Sequence, residues 1–321
     1  MSGPITSRFT RAATADEVLA GHDLSGKTIV VTGGASGLGY ETARALAKVG
    51  ARVLIAVRDL AAGETAAAAI RAETPNARVE VGQLDLADLT SVGACAGWLQ
   101  AEAPVIDVFI ANAGISNTPQ SHGPNGWELR FATNHVGHAV LITAVLPQLR
   151  RAGPARVVMV ASAAHKGSAV EFDDIHFRHR PWDPFKAYGQ SKSANVLYAV
   201  GFTRRFARQG LTANALQPGS IITRLQRHNT RERMILNGLL DETGQPVADT
   251  RTPEQGAATS VWAAVAPELD GVGGLYLENC AESLPVGPDT HKWEGWAPHA
   301  RDPEAAERLW AVTEAMVGPI S

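Results

Sequence analysis

A tyrosine and a lysine stand four residues apart in the run Tyr188-Gly-Gln-Ser-Lys192. In a helix, residues at this spacing share a face, so the lysine ammonium would lie beside the phenol. A tyrosine with a pKa of about 10 is a poor proton donor at neutral pH, but a nearby positive charge favours the phenolate. Tyr188 is therefore a candidate general acid or base. The same spacing also arises by chance on ordinary amphipathic helices.

Short β-rich runs alternate with helical patterns around this pair. The alternation predicts an α/β fold, a Rossmann-type doubly wound parallel sheet of about seven strands, with ligands beyond the carboxyl ends of the strands. The predicted strands are residues 27–32, 52–57, 78–84, 106–110, 156–161, 212–216 and 274–277, and the predicted helices are residues 38–49, 60–73, 88–101, 127–150 and 188–208.

No linker rich in Pro, Gly or Ser divides the 321 residues. We therefore expect one catalytic domain at residues 26–277, after an N-terminal arm at 1–25 and before a C-terminal tail at 278–321. Within the domain, apolar residues at helical spacing between 220 and 250 suit a mobile lid over an apolar substrate, or an ordinary helix packed on the domain or a partner.

Composition excludes several classes of protein. The chain has 29 basic and 32 acidic residues and no basic run interleaved with aromatics, so nucleic acid is not an expected partner. Its two cysteines lie outside any ligand spacing, which argues against a disulfide framework or a zinc site. No run is long and apolar enough for a membrane anchor or secretory signal, so we expect a cytoplasmic protein.

Histidines and aspartates in the stretch after Ser162 raise the question of a metal site. Their spacing matches no recognisable ligand set, and histidine is common in polar loops, so we predict no metal. The residues are His165, His176 and His179, near Asp173 and Asp174.

A glycine turn follows the first predicted strand, in Thr32-Gly-Gly-Ala-Ser-Gly-Leu-Gly39. Small residues between a strand and a helix let backbone N–H groups approach a pyrophosphate at the helix N-terminus. The turn therefore predicts dinucleotide binding, although such turns also occur for purely structural reasons. The expected contacts are Gly33, Ser36, Gly37, Leu38 and Gly39.

The end of the second strand bears on which dinucleotide binds. A carboxylate usually holds the adenosine ribose about 20 residues after the glycine turn. Here the strand ends at Val57 and a cation, Arg58, follows, which favours NADP(H) over NAD(H) through a contact with the 2′-phosphate. Other interpretations stay open. Arg58 is only a solvated charge at a helix start, or Asp59 neutralises Arg58, or Asp59 itself faces the ribose.

With these pieces in order, the chain from about Lys27 to Gly219 resembles the short-chain dehydrogenase/reductase family of the classical type. The glycine turn resembles its TGxxxGxG motif, and Asn134, Ser162, Tyr188 and Lys192 match its catalytic set. Ala111 and Ala161 depart from residues frequent in the family, but neither replaces a group with a chemical role. Further cofactor contacts implied by the resemblance are Asp85, Leu86, Asn112, Ala113, Gly114, Tyr188, Lys192, Pro218, Gly219, Ile221 and Thr223.

The resemblance implies a division of roles in the site. Tyr188 exchanges a proton with the substrate oxygen, and Lys192 lowers the pKa of Tyr188 and holds the nicotinamide ribose. Ser162 hydrogen-bonds the substrate oxygen, and Asn134 positions a water for a proton relay through Lys192. His135 and His138 are expected to be structural.

Tyr188 stands 26 residues after Ser162, a longer separation than in most members, and with Asn134-His-Val-Gly-His138 this insertion resembles the retinol-dehydrogenase-like branch. That branch implies a bulky lipophilic alcohol or carbonyl substrate, and the family implies a homodimer or homotetramer built through the Tyr188–Lys192 helix and its neighbour. The leading hypothesis is thus an NADP(H)-dependent alcohol dehydrogenase or carbonyl reductase. The alternatives are a non-catalytic dinucleotide-binding sensor or scaffold, and an enone C=C reductase.

Overall fold

The computed structural model describes residues 3–75, 77–222, 230–236 and 238–320, and within them it contains one eight-stranded sheet. The strands are β1 (Thr28–Thr32), β2 (Arg52–Val57), β3 (Arg78–Gln83), β4 (Val108–Ala111), β5 (Ala155–Val160), β6 (Leu211–Leu216), β7 (Tyr276–Glu278) and β8 (Ala281–Glu282). Their order is β3-β2-β1-β4-β5-β6-β7-β8, and all neighbours pair in parallel except the antiparallel β7 and β8. The predicted doubly wound sheet is confirmed, and its order reverses between β1 and β4.

Helices cover both faces of the sheet. They are α1 (Ala15–Leu19), α2 (Gly37–Lys48), α3 (Leu60–Glu73), α4 (Leu89–Glu102), α5 (Leu129–Phe131), α6 (Gly137–Ala144), α7 (Leu146–Arg151), α8 (Pro184–Phe206), α9 (Arg231–Leu236), α10 (Pro253–Val265) and α11 (Pro303–Val317). The apolar β-branched runs of the central strands are buried on both sides, as parallel strands between two helix layers must be.

The predicted helix at 127–150 is wrong as a continuous element. A π-helical segment, Ala132–Val136, separates α5 from α6, and the chain breaks again at Val145 before α7. Pro147 explains the second break, because a proline inside a helix lacks the N–H and clashes with the preceding turn. The first break places the side chain of Asn134, which lies inside the π segment, on the backbone of the loop after β4.

Helix α8 begins earlier than predicted because its N-terminus lies in an Asp-Pro pair. The Asp183 carboxylate accepts hydrogen bonds from the backbone N–H groups of Phe185 and Lys186, both at 2.8 Å, and Pro184 occupies the first turn. An aspartate cap followed by proline is a favoured helix start. The cap fixes the beginning of the helix that carries Tyr188 and Lys192.

Helix α11 packs along α8 and covers its outer face. The indole of Trp310 stacks on the ring of Tyr198 with centroids 5.4 Å apart, and Glu307 pairs with Arg205 at 2.6 Å. Residues 189–202 of α8 are consequently all buried within one chain. In the described chain α11 occupies the outer face of this part of α8, and association through the Tyr188–Lys192 helix and its neighbour stays a prediction.

Two further sequence predictions concern the ends of the chain. In the described residues, no helix combines the length and apolar character needed to cross a membrane. The predicted tail contributes β8 to the sheet and contains α11, whose first turn is capped by Asp302. The domain boundaries and the cytoplasmic location stay predictions.

Candidate active site

A cavity of about 1100 Å³ opens at the carboxyl ends of the central strands. It is lined by segments that directly follow β1, β2, β4, β5 and β6, as expected where a parallel sheet reverses its order. All the predicted site residues that the structure describes line this cavity except Asn134, which lies just behind its wall. Thr223 lies outside the described residues.

The glycine turn wraps the start of α2. Gly37 has φ +56°, a conformation that favours glycine, and a Cβ added to Gly39 would lie 2.3 Å from the Gly33 carbonyl oxygen. Asp59, Asp88 and Asp183 cap α3, α4 and α8, whereas the Ser36 side chain makes no capping bond at α2. The first N–H groups of α2 therefore face the cavity without a side-chain acceptor, which fits a pyrophosphate.

A hydrogen-bond network holds the turn against the segment after β4. Thr32 Oγ1 accepts the backbone N–H groups of Asn112 at 3.0 Å and Ala113 at 2.9 Å, so its own proton is left for His138 Nε2 at 2.9 Å. The other ring nitrogen, Nδ1, then donates to the Asn134 carbonyl oxygen at 3.0 Å. Burial lowers the pKa of His138 to about 4, consistent with a neutral ring and a structural role.

The end of the cavity next to β2 carries a cation. Arg58 is exposed, lines the cavity and forms no ion pair with any residue in the described ranges. Asp59 does not neutralise it, because the Asp59 carboxylate accepts the N–H of Ala62 at 3.1 Å as the cap of α3. Asp85 and Leu86 line the same end, and Asp85 Oδ1 accepts the N–H of Ala87 at 2.9 Å.

The turn after β6 forms the opposite edge of the cavity. Gly219 has φ +92°, and a Cβ there would lie 2.6 Å from the side chain of Arg251. Arg251 in turn donates to the Pro218 carbonyl oxygen at 3.3 Å and pairs its main chain with Ser220. Ile221 is buried and contributes to the cavity wall.

Ser162, Tyr188 and Lys192 meet at the centre of the cavity. Ser162 caps a short 3₁₀ helix after β5, with its Oγ accepting the Ala164 N–H at 3.2 Å, and it keeps a hydroxyl proton to donate. Lys192 is buried, lies 5.7 Å from the Tyr188 ring centre and donates from Nζ to the Val160 carbonyl oxygen at 2.8 Å. Two protons of its ammonium remain for other acceptors.

Burial is the main electrostatic influence on both Tyr188 and Lys192. Burial raises the pKa of Tyr188 to about 12, and the opposing effects come from the Ser162 hydrogen bond and then from the charge of Arg130. Burial also lowers the pKa of Lys192 to about 8. Desolvation disfavours the charged forms of both side chains, and the lowering of the Tyr188 pKa by Lys192 stays a prediction.

Asn134 lies behind the cavity wall and hydrogen-bonds to residues that form it. Its Oδ1 accepts the Ile115 N–H at 2.8 Å, and its Nδ2 donates to the Ile115 carbonyl oxygen at 3.0 Å and to Ser191 Oγ at 2.9 Å. A Cβ added to Gly114 would lie 3.1 Å from Asn134 Oδ1 and 3.5 Å from Lys192 Nζ, so the two side chains meet at this glycine. The water-holding role assigned to Asn134 stays a prediction.

The substrate side of the cavity has an apolar wall from three separate parts of the chain. Phe185 comes from the start of α8, Trp293 from the tail, and the third part is the predicted lid region. Phe185 is 50% exposed and Leu236 is 81% exposed, which places apolar surface at the mouth. Leu225, also assigned to the lid, lies outside the described residues. The lid residues that line the cavity are Ile235, Leu236 and Leu239.

Buried polar contacts hold Trp293 in this wall, and sequence reasoning missed them. Gln217, directly after β6, donates from Nε2 to the Trp293 carbonyl oxygen and to Glu278 Oε2 at 2.7 Å. The Glu278 carboxylate also accepts Ser283 Oγ at 2.8 Å and the Gly295 N–H at 3.0 Å. A buried carboxylate that accepts several hydrogen bonds holds its donors in place. No local sequence motif predicts this arrangement.

His165 links the same tail segment to Ser162. Its Nδ1 lies 2.7 Å from the Ser162 carbonyl oxygen, and its Nε2 accepts the Ala297 N–H at 3.1 Å. Lys166 adds a hydrogen bond from Nζ to the Lys292 carbonyl oxygen at 2.8 Å. His165 is thus a structural link, and no cluster of His, Cys, Asp or Glu suited to a metal ion occurs among residues 3–75, 77–222, 230–236 and 238–320.

Known proteins are similar to this chain in sequence and in fold. The sequence model of the short chain dehydrogenase family matches residues 27–234. A Streptomyces antibioticus protein named "Probable oxidoreductase" is 48% identical over 291 residues, 90% of this chain and 96% of its own. Retinol dehydrogenase 13 from Homo sapiens is 36% identical over 297 residues, 92% of this chain and 86% of its own. The solved Pseudomonas aeruginosa RhlG/NADP active-site complex is 26% identical with a TM-score of 0.59, covering 78% of this chain and 91% of that one.

Proposed function

This chain belongs to the short-chain dehydrogenase/reductase family, in its retinol-dehydrogenase-like branch, and on that premise we propose that it interconverts a bulky apolar alcohol and its carbonyl compound with NADP(H). The observation that carries the proposal is the single cavity shared by the open N-terminus of α2, the Ser162, Tyr188 and Lys192 side chains, and an apolar wall. A dinucleotide and an apolar substrate can meet there at the phenol.

Support for NADP(H) comes from Arg58. It is an exposed guanidinium at the adenosine end of the cavity, and the nearest carboxylate in sequence, Asp59, is directed to the α3 N-terminus. A guanidinium matches the geometry of a phosphate, whereas a free ribose 2′-hydroxyl is better held by a carboxylate. The Pseudomonas aeruginosa RhlG/NADP active-site complex is a related example of that cofactor in this fold.

In the proposed reaction the bound dinucleotide supplies or accepts the hydride. In the reducing direction, Tyr188 donates its phenolic proton to the carbonyl oxygen while the Ser162 hydroxyl donates a hydrogen bond to the same atom. The Lys192 ammonium donates one proton to the Val160 carbonyl oxygen, and its other two protons are free for other acceptors. The ammonium can donate one of these protons in a hydrogen bond to a ribose hydroxyl, and it can pass a proton back to Tyr188. The backbone carbonyl oxygen of Asn134, which accepts His138 Nδ1, has a second lone pair for a water.

The test is a panel of small and bulky lipophilic ketones with NADPH, followed by absorbance and product identification. We expect Tyr188→Phe, which removes only the hydroxyl, to lose roughly 10²- to 10⁴-fold in kcat/KM for reduction with little change in NADPH affinity. The control is Tyr40→Phe, which changes a half-buried tyrosine that does not line the cavity.

Three outcomes would contradict the proposal. NADPH binding without any turnover by the wild-type protein would favour a sensor or scaffold. A saturated product that keeps its carbonyl would favour enone reduction. Full activity of Tyr188→Phe would remove Tyr188 from proton transfer.

A further inference from the structure

The loop that follows β4 is held by a buried arginine. Residues 115–118 line the substrate side of the cavity. The Arg130 side chain is fully buried, and its guanidinium donates from Nε to the Ser116 carbonyl oxygen and from Nη2 to the Thr118 carbonyl oxygen. Its Nη1 donates to Glu128 Oε1 at 3.3 Å. One guanidinium thus fixes two points of the loop and a buried carboxylate.

The insertion before Tyr188 covers this guanidinium. The indole of Trp182 lies over Arg130 with the guanidinium carbon 4.8 Å from the ring centre. The insertion also reaches the partner of Arg130, because His176 Nδ1 accepts the Glu128 N–H at 3.2 Å. The additional residues between Ser162 and Tyr188 therefore exclude water from the Arg130–Glu128 pair and strengthen its electrostatics.

The same insertion is tied to the helix that carries the reacting side chains. Gln190 lies between Tyr188 and Lys192, and its Nε2 donates to the Ile175 carbonyl oxygen at 2.8 Å. Its Oε1 accepts the Glu171 N–H at 3.1 Å. A continuous set of buried contacts therefore runs from α8 through the insertion to Arg130 and the loop.

The chemistry of this position suits arginine and no other side chain. A guanidinium presents five N–H donors in a planar fork and a face that stacks on an aromatic ring. A lysine would keep the charge but could not reach two carbonyl oxygens and a carboxylate while stacking. A neutral residue would leave Glu128, which is 1% exposed, as a buried charge without its partner.

We propose that Arg130 is a positioning residue for the carbonyl reduction proposed above: its guanidinium fixes residues 115–118 as the substrate wall. This inference rests on the proposed function for its kinetic consequences. Its structural part, the position of the loop, does not depend on turnover.

The charge of Arg130 acts on Tyr188 within a small group of neighbours. It favours the phenolate and lowers the pKa of Tyr188, against the larger effect of burial. The other titratable groups that face this region are Lys192 on the same helix as Tyr188, Tyr276 in β7, Arg233 in α9, and Glu128, which balances Arg130. Loss of the Arg130 charge alone should therefore raise the pKa of Tyr188.

The main test compares wild type with the double variant Glu128→Gln/Arg130→Met, which removes both buried charges together. We expect the substrate KM to rise roughly tenfold with NADPH affinity unchanged, because the loop is displaced and the glycine turn is not. In Arg130→Met alone, which removes the positive charge and keeps Glu128, the pH limb on which alcohol oxidation rises should move to higher pH, because oxidation needs the phenolate. In the double variant the two charge effects oppose each other, so this limb should stay near that of wild type. Hydrogen exchange at residues 115–118 should become faster.

Arg130→Lys separates charge from geometry. We expect this variant to restore the pH limb close to that of wild type while KM stays raised, because an ammonium keeps the charge and loses the fork. Trp182→Leu leaves the ion pair in place and provides the same readouts if the double variant does not fold. In Trp182→Leu we expect a smaller rise in KM and faster exchange at residues 115–118.

The inference fails if a folded variant keeps the wild-type KM, pH limb and exchange rates. It also fails if NADPH affinity falls by the same factor as substrate affinity, since that would indicate general disruption. If wild type reduces no carbonyl compound, the proposed function fails instead. Hydrogen exchange at the loop then decides the positioning role alone.

Discussion

The two sides of the cavity, one proposed to bind the cofactor (the cofactor side) and one proposed to bind the substrate (the substrate side), are built in different ways. The cofactor side consists mainly of backbone: the N–H groups at the start of α2, the turn at Gly33, and the segment from Asn112 to Gly114. The register of the parallel strands brings these pieces together. The substrate side consists of side chains and loops held by individual buried polar residues, among them Arg130, Gln217 and Glu278.

This difference predicts which amino-acid substitutions each side tolerates. A site made of backbone depends on small residues and backbone conformation, so added volume damages it and most other substitutions do not. A site made of side chains depends on single hydrogen-bonded groups, so its shape changes with one substitution. The cofactor side should therefore be the constant part of the cavity and the substrate side the adjustable part.

The largest expected effect tests the backbone character of the cofactor side. Gly39→Ala adds a Cβ that would lie 2.3 Å from the Gly33 carbonyl oxygen and 2.5 Å from Asn112 Nδ2, so the turn must shift. We expect NADPH affinity to fall by about a hundredfold or more, measured by fluorescence titration. Gly97→Ala in α4 is the control, because nothing lies within 4 Å of its added Cβ. Wild-type affinity in Gly39→Ala would contradict the comparison.

An intermediate effect is expected at Arg58, the side chain proposed to contact the 2′-phosphate of NADP(H). Arg58→Gln should weaken NADPH binding about ten- to thirtyfold and leave NADH binding nearly unchanged, because only NADPH carries the 2′-phosphate. Arg208→Gln, a change at another exposed arginine, does not touch the cavity and serves as the control. Equal affinity of the wild-type protein for both cofactors would overturn the assignment of Arg58.

The smallest effect is expected on the substrate side and should depend on the substrate. Trp293→Leu removes aromatic surface from the wall, so we expect KM for a bulky ketone to rise about five- to tenfold. KM for a small ketone and NADPH affinity should stay the same, and Trp293→Phe should retain most of the bulky-substrate affinity. An equal loss for small and bulky ketones would mean that Trp293 supports the whole site.

The two sides also differ in how far sequence predicted them. The glycine turn and the Tyr188–Lys192 pair were found from their spacing, and the family resemblance added Asn112; all of them line one cavity because they lie at strand ends or on one helix face. Ser191 was missed although it stands beside Lys192, because its contact with Asn134 depends on the π-helical segment. Arg130 and Gln217 were missed because their partners lie on other segments, and an isolated Arg or Gln in sequence gives no sign of what it will contact.

The packing of α11 on α8 has a consequence for synthesis of the chain. Trp310, which completes the core around Tyr198, is added about 110 residues after it. At ribosomal rates of about 5 to 20 residues per second, the apolar face of α8 therefore stays uncovered by α11 for roughly 5 to 20 s. During that interval the nascent chain displays a surface suited to chaperones or to aggregation, and the Tyr188–Lys192 helix acquires its final support only late in translation.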